Sequence, residues 1–231
     1  MLTPTFWATQ TQHQHRRNTM SYRTLDARVW ATNCLTDPRL IYSFKNNLLQ
    51  DKQKLIETID HLERGEPQPA DRFPSEMYIA SQYVEVKKVP DIFMGGGGWV
   101  VSGRFAEVLR RFELGQTGLY PVKLFHHDRK TPFEGEYFML AFGETKDTFV
   151  PEESPKIRNI FMSKDIWGPR NSDNEDSLAL SSEVLQGVDL WMEKKMVDVF
   201  FLSDRLVEAL KAEKLTKPLK PYRCRVVSNL H

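Results

Sequence analysis

Apolar positions fall in two rhythms along this chain. Between about Pro38 and Arg64, Phe44, Leu48, Leu49, Leu55, Ile56, Ile59 and Leu62 recur at helical spacing. That pattern predicts one long amphipathic helix, with Gly65 as its C-cap and Pro67 and Pro69 stopping any continuation. Leu25 to Trp30 reads as a short strand or as the entry to the first helix. Beyond residue 75 the rhythm shortens. Met77 to Ala80 and Tyr83 to Val86 read as short strands. Tyr120 to His127 and Glu136 to Phe142 form a hairpin, whose nearly all-apolar second strand belongs in the middle of a sheet. Arg158 to Met162 is a further strand candidate. Ile166 to Asp176 reads as an exposed loop. Leu178 to Leu190 is ambiguous, with a helix starting at Ser181 or Ser182 as one reading. Tyr222 to Val227 alternates apolar and basic residues, as a half-exposed last strand does.

One stretch occurs twice. Val101-Ser102-Gly103-Arg104-Phe105-Ala106-Glu107-Val108-Leu109-Arg110 returns as Leu202-Ser203-Asp204-Arg205-Leu206-Val207-Glu208-Ala209-Leu210-Lys211, displaced by 101 residues. Each copy follows an apolar run and leads through a leucine (Leu114, Leu215) to another strand-like run. Ser102 reads as a helix N-cap, with Phe105, Val108, Leu109 and Phe112 as the buried face and Gly115 closing the helix. The expected fold is therefore α+β: a mixed or mainly antiparallel sheet, two related strand-helix-strand units and a long N-terminal helix. The expected division is a disordered extension over 1–19, a helical front part over 20–74, and a repeat-containing α+β domain over 75–231 that forms one compact unit with the front part.

Composition narrows the function by exclusion. The chain has 231 residues, 40% apolar and 27% charged, and a net charge of +1 from 32 basic and 31 acidic residues. Bulk charge makes no case for nucleic acid. No apolar run approaches the roughly 20 residues that span a bilayer. Met1 to Thr19 is polar and has no apolar core of a secretion signal. Met20 is a second possible start. Cys34 and Cys224 match no metal spacing; a disulfide is possible, but two free thiols in a reducing cytosol is the preferred reading.

Candidate chemistry is sparse. Gly95 to Gly98 precedes a strand and lacks a following Lys-Ser or Lys-Thr, so it reads as a flexible loop and not as a phosphate cradle. Ser102 and Arg104 could hold an anion, but their recurrence favours capping and packing. His126 and His127 point to opposite faces of a strand and cannot easily share a metal; they are expected to be solvated. His61 reads as a surface ion pair with Glu57 or Asp60. Glu134 and Glu136 flank Gly135 as turn residues or paired carboxylates. No nucleophile motif is present, so the residues argue against an enzyme and call for no cofactor or metal. The stretch holding Asp165, Trp167, Arg170, Asp173, Asn174, Glu175 and Asp176 puts an aromatic and an arginine among acidic residues. That mixture suits protein recognition, and a mobile acidic loop without a partner fits it equally. The candidate partner-binding residues are Asp165, Trp167, Arg170, Asp173, Glu175 and Asp176.

The unit at Val100 to Leu109, the hairpin at Pro121 to Phe142 and the late unit at Phe201 to Leu210 with its closing strand resemble the bacterial polymorphic-toxin immunity proteins of family eleven. The resemblance covers roughly residues 75 to 227. This chain departs from it in a longer helical front, Leu35 to Arg64, and an insertion at about 151 to 176. The resemblance implies a cytoplasmic protein that binds a cognate toxin, encoded next door, and neutralises it stoichiometrically through an interface of about 1,600 Å². It implies complementary charge at that interface and no nucleic-acid or membrane partner. The alternatives are an enzyme that reverses a toxin's modification, or a structural or assembly accessory protein.

Overall fold

The computed structural model describes residues 21–32, 34–48, 52–83, 85–161, 164–169 and 175–230. The expected extension over 1–19 and the choice between Met1 and Met20 lie outside the described residues. The fold is α+β and mostly strand. Among the described residues there are three α-helices, a seven-stranded sheet, a six-stranded sheet and a two-stranded hairpin.

The first sheet runs β2 (Ile41–Tyr42), β5 (Ile92–Gly95), β6 (Gly98–Ser102), β8 (Tyr137–Ala141), β7 (Gly118–Phe125), β4 (Glu76–Ile79) and β3 (Phe44–Asn46). The second runs β9 (Thr145–Lys146), β13 (Leu190–Glu193), β14 (Phe200–Ser203), β1 (Ser21–Thr32), β15 (Tyr222–Leu230) and β12 (Ala179–Ser181). Strand by strand the first six pair alike: parallel, three antiparallel steps, then parallel. The registers agree as well. Met94 lies opposite Ile41 and Met192 opposite Thr145. Val101 sits between Ile92 and Phe138, and Leu202 between Leu190 and Trp30. The molecule is two copies of one topology.

A helix follows the second strand of each hairpin: α2 (Gly103–Leu109) after β6 and α3 (Asp204–Ala212) after β14. Ser102 and Ser203 cap them, each side chain accepting from the backbone N–H three residues on. Each serine hydroxyl donates in turn to an aspartate that opens the hairpin, Asp91 or Asp189. Such caps contribute about 1 kcal/mol each. Phe105, Val108 and Leu109 of α2 share one core with Leu206, Val207 and Leu210 of α3, and the Phe142 and Phe200 rings meet there at 5.0 Å. The outer faces have separate cores, with Phe93, Val100 and Met139 on one and Trp191, Phe201 and Ala31 on the other. Both sheets are thus buried on both faces, which accounts for the continuous apolar runs in β6, β8 and β14.

The copies differ in two ways. β8 follows β7 directly, whereas its counterpart β1 comes from the opposite end of the chain. Each copy also carries its own insert at the same place. Between β2 and β4 lie β3 and α1 (Lys52–Glu63); between β9 and β12 lie β10 (Ile157–Phe161) and β11 (Ile166–Pro169).

Several expectations need correction. No helix spans 38–64: the chain makes a 3₁₀ turn at Pro38–Leu40, then β2 and β3, and only Lys52–Glu63 is α-helical. The aromatic and β-branched residues of 41–44 pair with Met94 and Ile79, and Phe44 packs near Phe93 and Phe133, so tertiary pairing outweighs the helical spacing. Ile56 of the expected stripe is exposed, and Leu49 lies outside the described residues. Leu25 to Trp30 takes the strand alternative, within the twelve-residue strand β1. Tyr83 stands in an exposed turn and no strand forms there; Val84 is not among the described residues. Ile166–Pro169 is strand, not loop. The 178–190 region divides into β12, a 3₁₀ turn at Ser182–Leu185 and the start of β13. Gly95 to Gly98 is an ordered hairpin: Gly96 and Gly97, at φ +61° and +92°, make the two-residue turn between β5 and β6. The 20–74 part contributes strands to both sheets besides its one helix.

Candidate partner-binding surface

Of the residues singled out at 165–176, Asp165 and Trp167 stand at the insert of the second copy and Asp176 lies against β15. β10 and β11 pair antiparallel, with Asn159 opposite Trp167 and Arg158 opposite Gly168. A Cβ on Gly168 would stand 2.3 Å from the Cδ1 of Ile160, the end of an exposed side chain that would have to turn aside. β11 is held on its other side by the segment after β13. The Trp167 N–H donates to the Lys195 carbonyl at 2.7 Å, and the Val197 N–H donates to the Trp167 carbonyl at 3.1 Å. A short third rung thereby fastens the hairpin to the body of the protein.

Trp167 is half-buried. Its ring lies 5.6 Å from the Phe149 ring, and its indole N–H donates to Asp165 Oδ1 at 2.8 Å. Asp165 also faces Lys195 Nζ at 3.2 Å. The hydrogen bonds from Trp167 and Lys195 hold the Asp165 carboxyl below the usual carboxylate range. Asp176 pairs in two-point fashion with Arg223, whose Nε donates to Oδ1 at 2.9 Å and Nη2 to Oδ2 at 2.5 Å. The Asp176 carbonyl accepts from Arg225 Nε at 3.1 Å. Glu175 is exposed. Arg170 and Asp173, with Asn174, lie outside the described residues. Asp165 and Trp167 therefore form one contact group with Lys195, and Asp176 a second with Arg223; both groups spend their polar atoms within the chain.

What the sequence reading missed is the apolar rim beside them. Ile160 and Phe161 of β10 are exposed, Phe161 at 57%. Asn159 Oδ1 is buried with no hydrogen-bond partner among the described residues. The expected strand from Arg158 matches β10 as far as Phe161, but its outward face was not legible, because β10 is an edge strand whose burial depends on distant neighbours.

The other candidates stand apart. The His126 ring is half-buried and stacks on Phe133 at 4.2 Å, whereas His127 is exposed as expected, with Nδ1 3.2 Å from the Ile79 carbonyl; the two are engaged separately. His61 pairs with Glu66 and not with Glu57 or Asp60. Arg104 reaches the Glu213 carbonyl at 2.9 Å, holding the end of α3 in place of an anion. Glu134 and Glu136 are exposed at the hairpin turn. Among the described residues no three His, Cys, Asp or Glu side chains cluster as a metal site, and no helix is long and apolar enough to cross a membrane. Cys34 and Cys224 are free and buried; burial pushes the Cys34 thiol up to about 12 and raises that of Cys224.

The model of a family described as an immunity protein family (Imm11) matches residues 1–222. No curated protein matches the chain.

Proposed function

The chain belongs to the Imm11 immunity protein family, and on that premise we propose that it protects a bacterial cell by binding a cognate protein toxin and blocking it stoichiometrically. The observation that carries this reading is the family match across 1–222, which takes in the first copy, both inserts and the second copy up to the start of its strand β15. The chemistry of the chain is consistent with it: the titratable residues singled out in the sequence stand in separate contacts, and the inserts offer exposed side chains on a well-packed scaffold. Buried free thiols suit a reducing cytoplasm. The toxin would be encoded by a neighbouring gene, with no nucleic-acid or membrane partner.

The interface proposed for it includes the second insert. Asp165, Trp167, Arg170, Asp173, Glu175 and Asp176 supply the charged part, and Ile160 and Phe161 the apolar part. Apolar anchors bordered by charges are the ordinary make-up of a specific interface.

Co-expression tests the proposal. The neighbouring toxin gene, induced alone, is expected to stop growth, and induced with this chain to permit it, with the two proteins eluting together at equal stoichiometry. A toxin that kills equally in the presence of this chain contradicts the proposal. Protection without a complex, accompanied by chemical reversal of the toxin's damage, points to the enzyme reading instead.

A further inference from the structure

A concave feature lies where the two copies meet α1. Leu62, Met94, Trp99, Phe142 and Met192 line a cleft of about 110 Å³ beside the Gly96-Gly97 turn. Its volume is of the order of the ~150 Å³ cavity that admits one benzene. It is well below the ~300–1,000 Å³ of small-molecule sites, so it has room for one side chain and not for a metabolite.

The charged residues lining it are Glu63 and Asp198, both acidic and both exposed. No described Lys, Arg or His stands within 4 Å of either carboxylate. Burial and the like charges of Asp60 and Asp198 raise the Glu63 pKa, with Arg64 opposing them. An apolar floor with two carboxylates at its lip complements a side chain that is aliphatic along its stem and cationic at its tip. The cleft is also continuous with the surface around β11. Asp198 and Val197 line it, and Val197 belongs to the same segment that bonds Trp167.

We propose that this cleft receives a basic anchor of the partner protein, a lysine or arginine whose stem lies on Trp99 and Phe142 and whose charged end meets Glu63 and Asp198. The proposal rests on the immunity reading for the partner's identity. It adds a sign to the interface: the toxin surface opposite the cleft is basic.

Two experiments separate the claims. In the first, n-hexylguanidinium, hexanol and hexanoate are titrated into the full chain, and methyl resonances of Leu62 and Val197 are followed by NMR. The guanidinium is expected to shift them and to bind about tenfold more tightly than hexanol, the contribution of one charge-assisted hydrogen bond. Hexanoate is expected to bind more weakly than either. In the Glu63→Gln/Asp198→Asn variant, which is near-isosteric at exposed positions, the gap between guanidinium and hexanol should close. Equal binding of guanidinium and hexanol by the wild type, or no shift with any probe, overturns the proposal. In the second, the same variant is co-expressed with the toxin. Weakened protection, restored when the toxin's basic anchor is changed to methionine, supports the anchor. Full protection by the variant overturns the anchor and leaves the immunity reading standing. Failure of the wild type to protect overturns the immunity reading, while the probe series still decides whether the cleft takes a basic stem.

Discussion

The two copies solve one packing problem with different chemistry. Asp91 and Asp189 occupy the same place, opening a hairpin and bonding the serine that caps the following helix. In the first copy the hairpin turns on two glycines, with the buried Asn46 Nδ2 donating to the Gly96 carbonyl at 2.6 Å, and the strands pack through Phe93, Val100 and Met139. In the second copy the aspartate is 1% exposed and also holds Arg205 at 2.6 and 2.7 Å and the Glu113 N–H at 2.9 Å. Where the first copy has Gly95, the second has Glu193, buried and accepting from Thr148, Phe149 and Trp191. Where the first has Tyr42, the second has Lys146, which donates to three carbonyls over the Trp191 ring. The second copy borrows its β1 from the far end of the chain and fixes its joints with directional bonds. The first is closed by its own hairpin and has a glycine, Gly95, and a ring-packed tyrosine, Tyr42 at 5.4 Å from the Phe93 ring, at the matching joints. Polar networks of this kind specify one arrangement where continuity of the chain does not.

The largest effect expected from breaking this comparison is in the outer cores. Phe93→Ala and Trp191→Ala, at equivalent positions, should each lower unfolding free energy by about 3–5 kcal/mol in urea titrations. The Trp191 loss should be the greater, because Glu193 and Lys146 lose their partner as well. A smaller loss at Trp191 than at Phe93 would contradict the assignment of a polar network to that copy.

Next come the aspartates. Asp189→Ala should remove about 3 kcal/mol, since it strands Ser203 and the Glu113 amide besides Arg205, whose own exposure softens the loss. Asp91→Ala should remove about 1 kcal/mol. Burial alone would raise the Asp189 pKa, but hydrogen bonds from Arg205, Ser203 and the Glu113 amide outweigh it and leave it lowered. A folded-state pKa below the unfolded one means stability present above the unfolded value of 3.8 and lost as pH falls through the folded value. Acid unfolding of the wild type should therefore be steeper below about pH 4 than that of Asp189→Asn.

The smallest effect belongs to Lys146. Burial lowers its pKa from 10.5 to about 8, against the attraction of Glu193, Asp189 and Glu144. The folded state then binds fewer protons than the unfolded state between about pH 8 and 10.5, so stability attributable to this group rises with pH across that window. After discounting for solvent screening at a half-buried ammonium, the gain is about 1 kcal/mol. It should appear as a difference between wild type and Lys146→Met in unfolding midpoints at pH 8 and pH 10.

The recurrence of Ser102 and Ser203 at a fixed offset marks both capped helices and the strands before them. Its true extent was hidden by the turns. Asp91-Ile92-Phe93-Met94 and Asp189-Leu190-Trp191-Met192 also correspond, but 98 residues apart. The Gly96-Gly97 turn is shorter than the connection at 194–198, so a search at constant spacing passes over the match. The misread helix at 38–64 has a different cause: Phe44 and Ile41 choose strands that pair with residues 35 to 53 positions away, which no local rhythm encodes. Within the candidate surface, Trp167 and its acidic neighbours were legible from composition. Their partners Lys195 and Arg223 were not, because the contacts join segments brought together only by the second sheet. The cleft was invisible for the same reason, since α1, the β5–β6 turn and residues 197–198 meet only in the folded chain.

Both candidate surfaces lie in or beside the inserts, where the copies differ, and the shared strands and helices lie beneath them. The most direct test is amide hydrogen exchange on the complex formed with the toxin that this chain retains in a pull-down from its native cells. Slowed exchange concentrated at 52–63, 157–169 and 194–198 is the predicted result. Slowing confined to the strands common to both copies, or recovery of no toxin at all, would contradict the account.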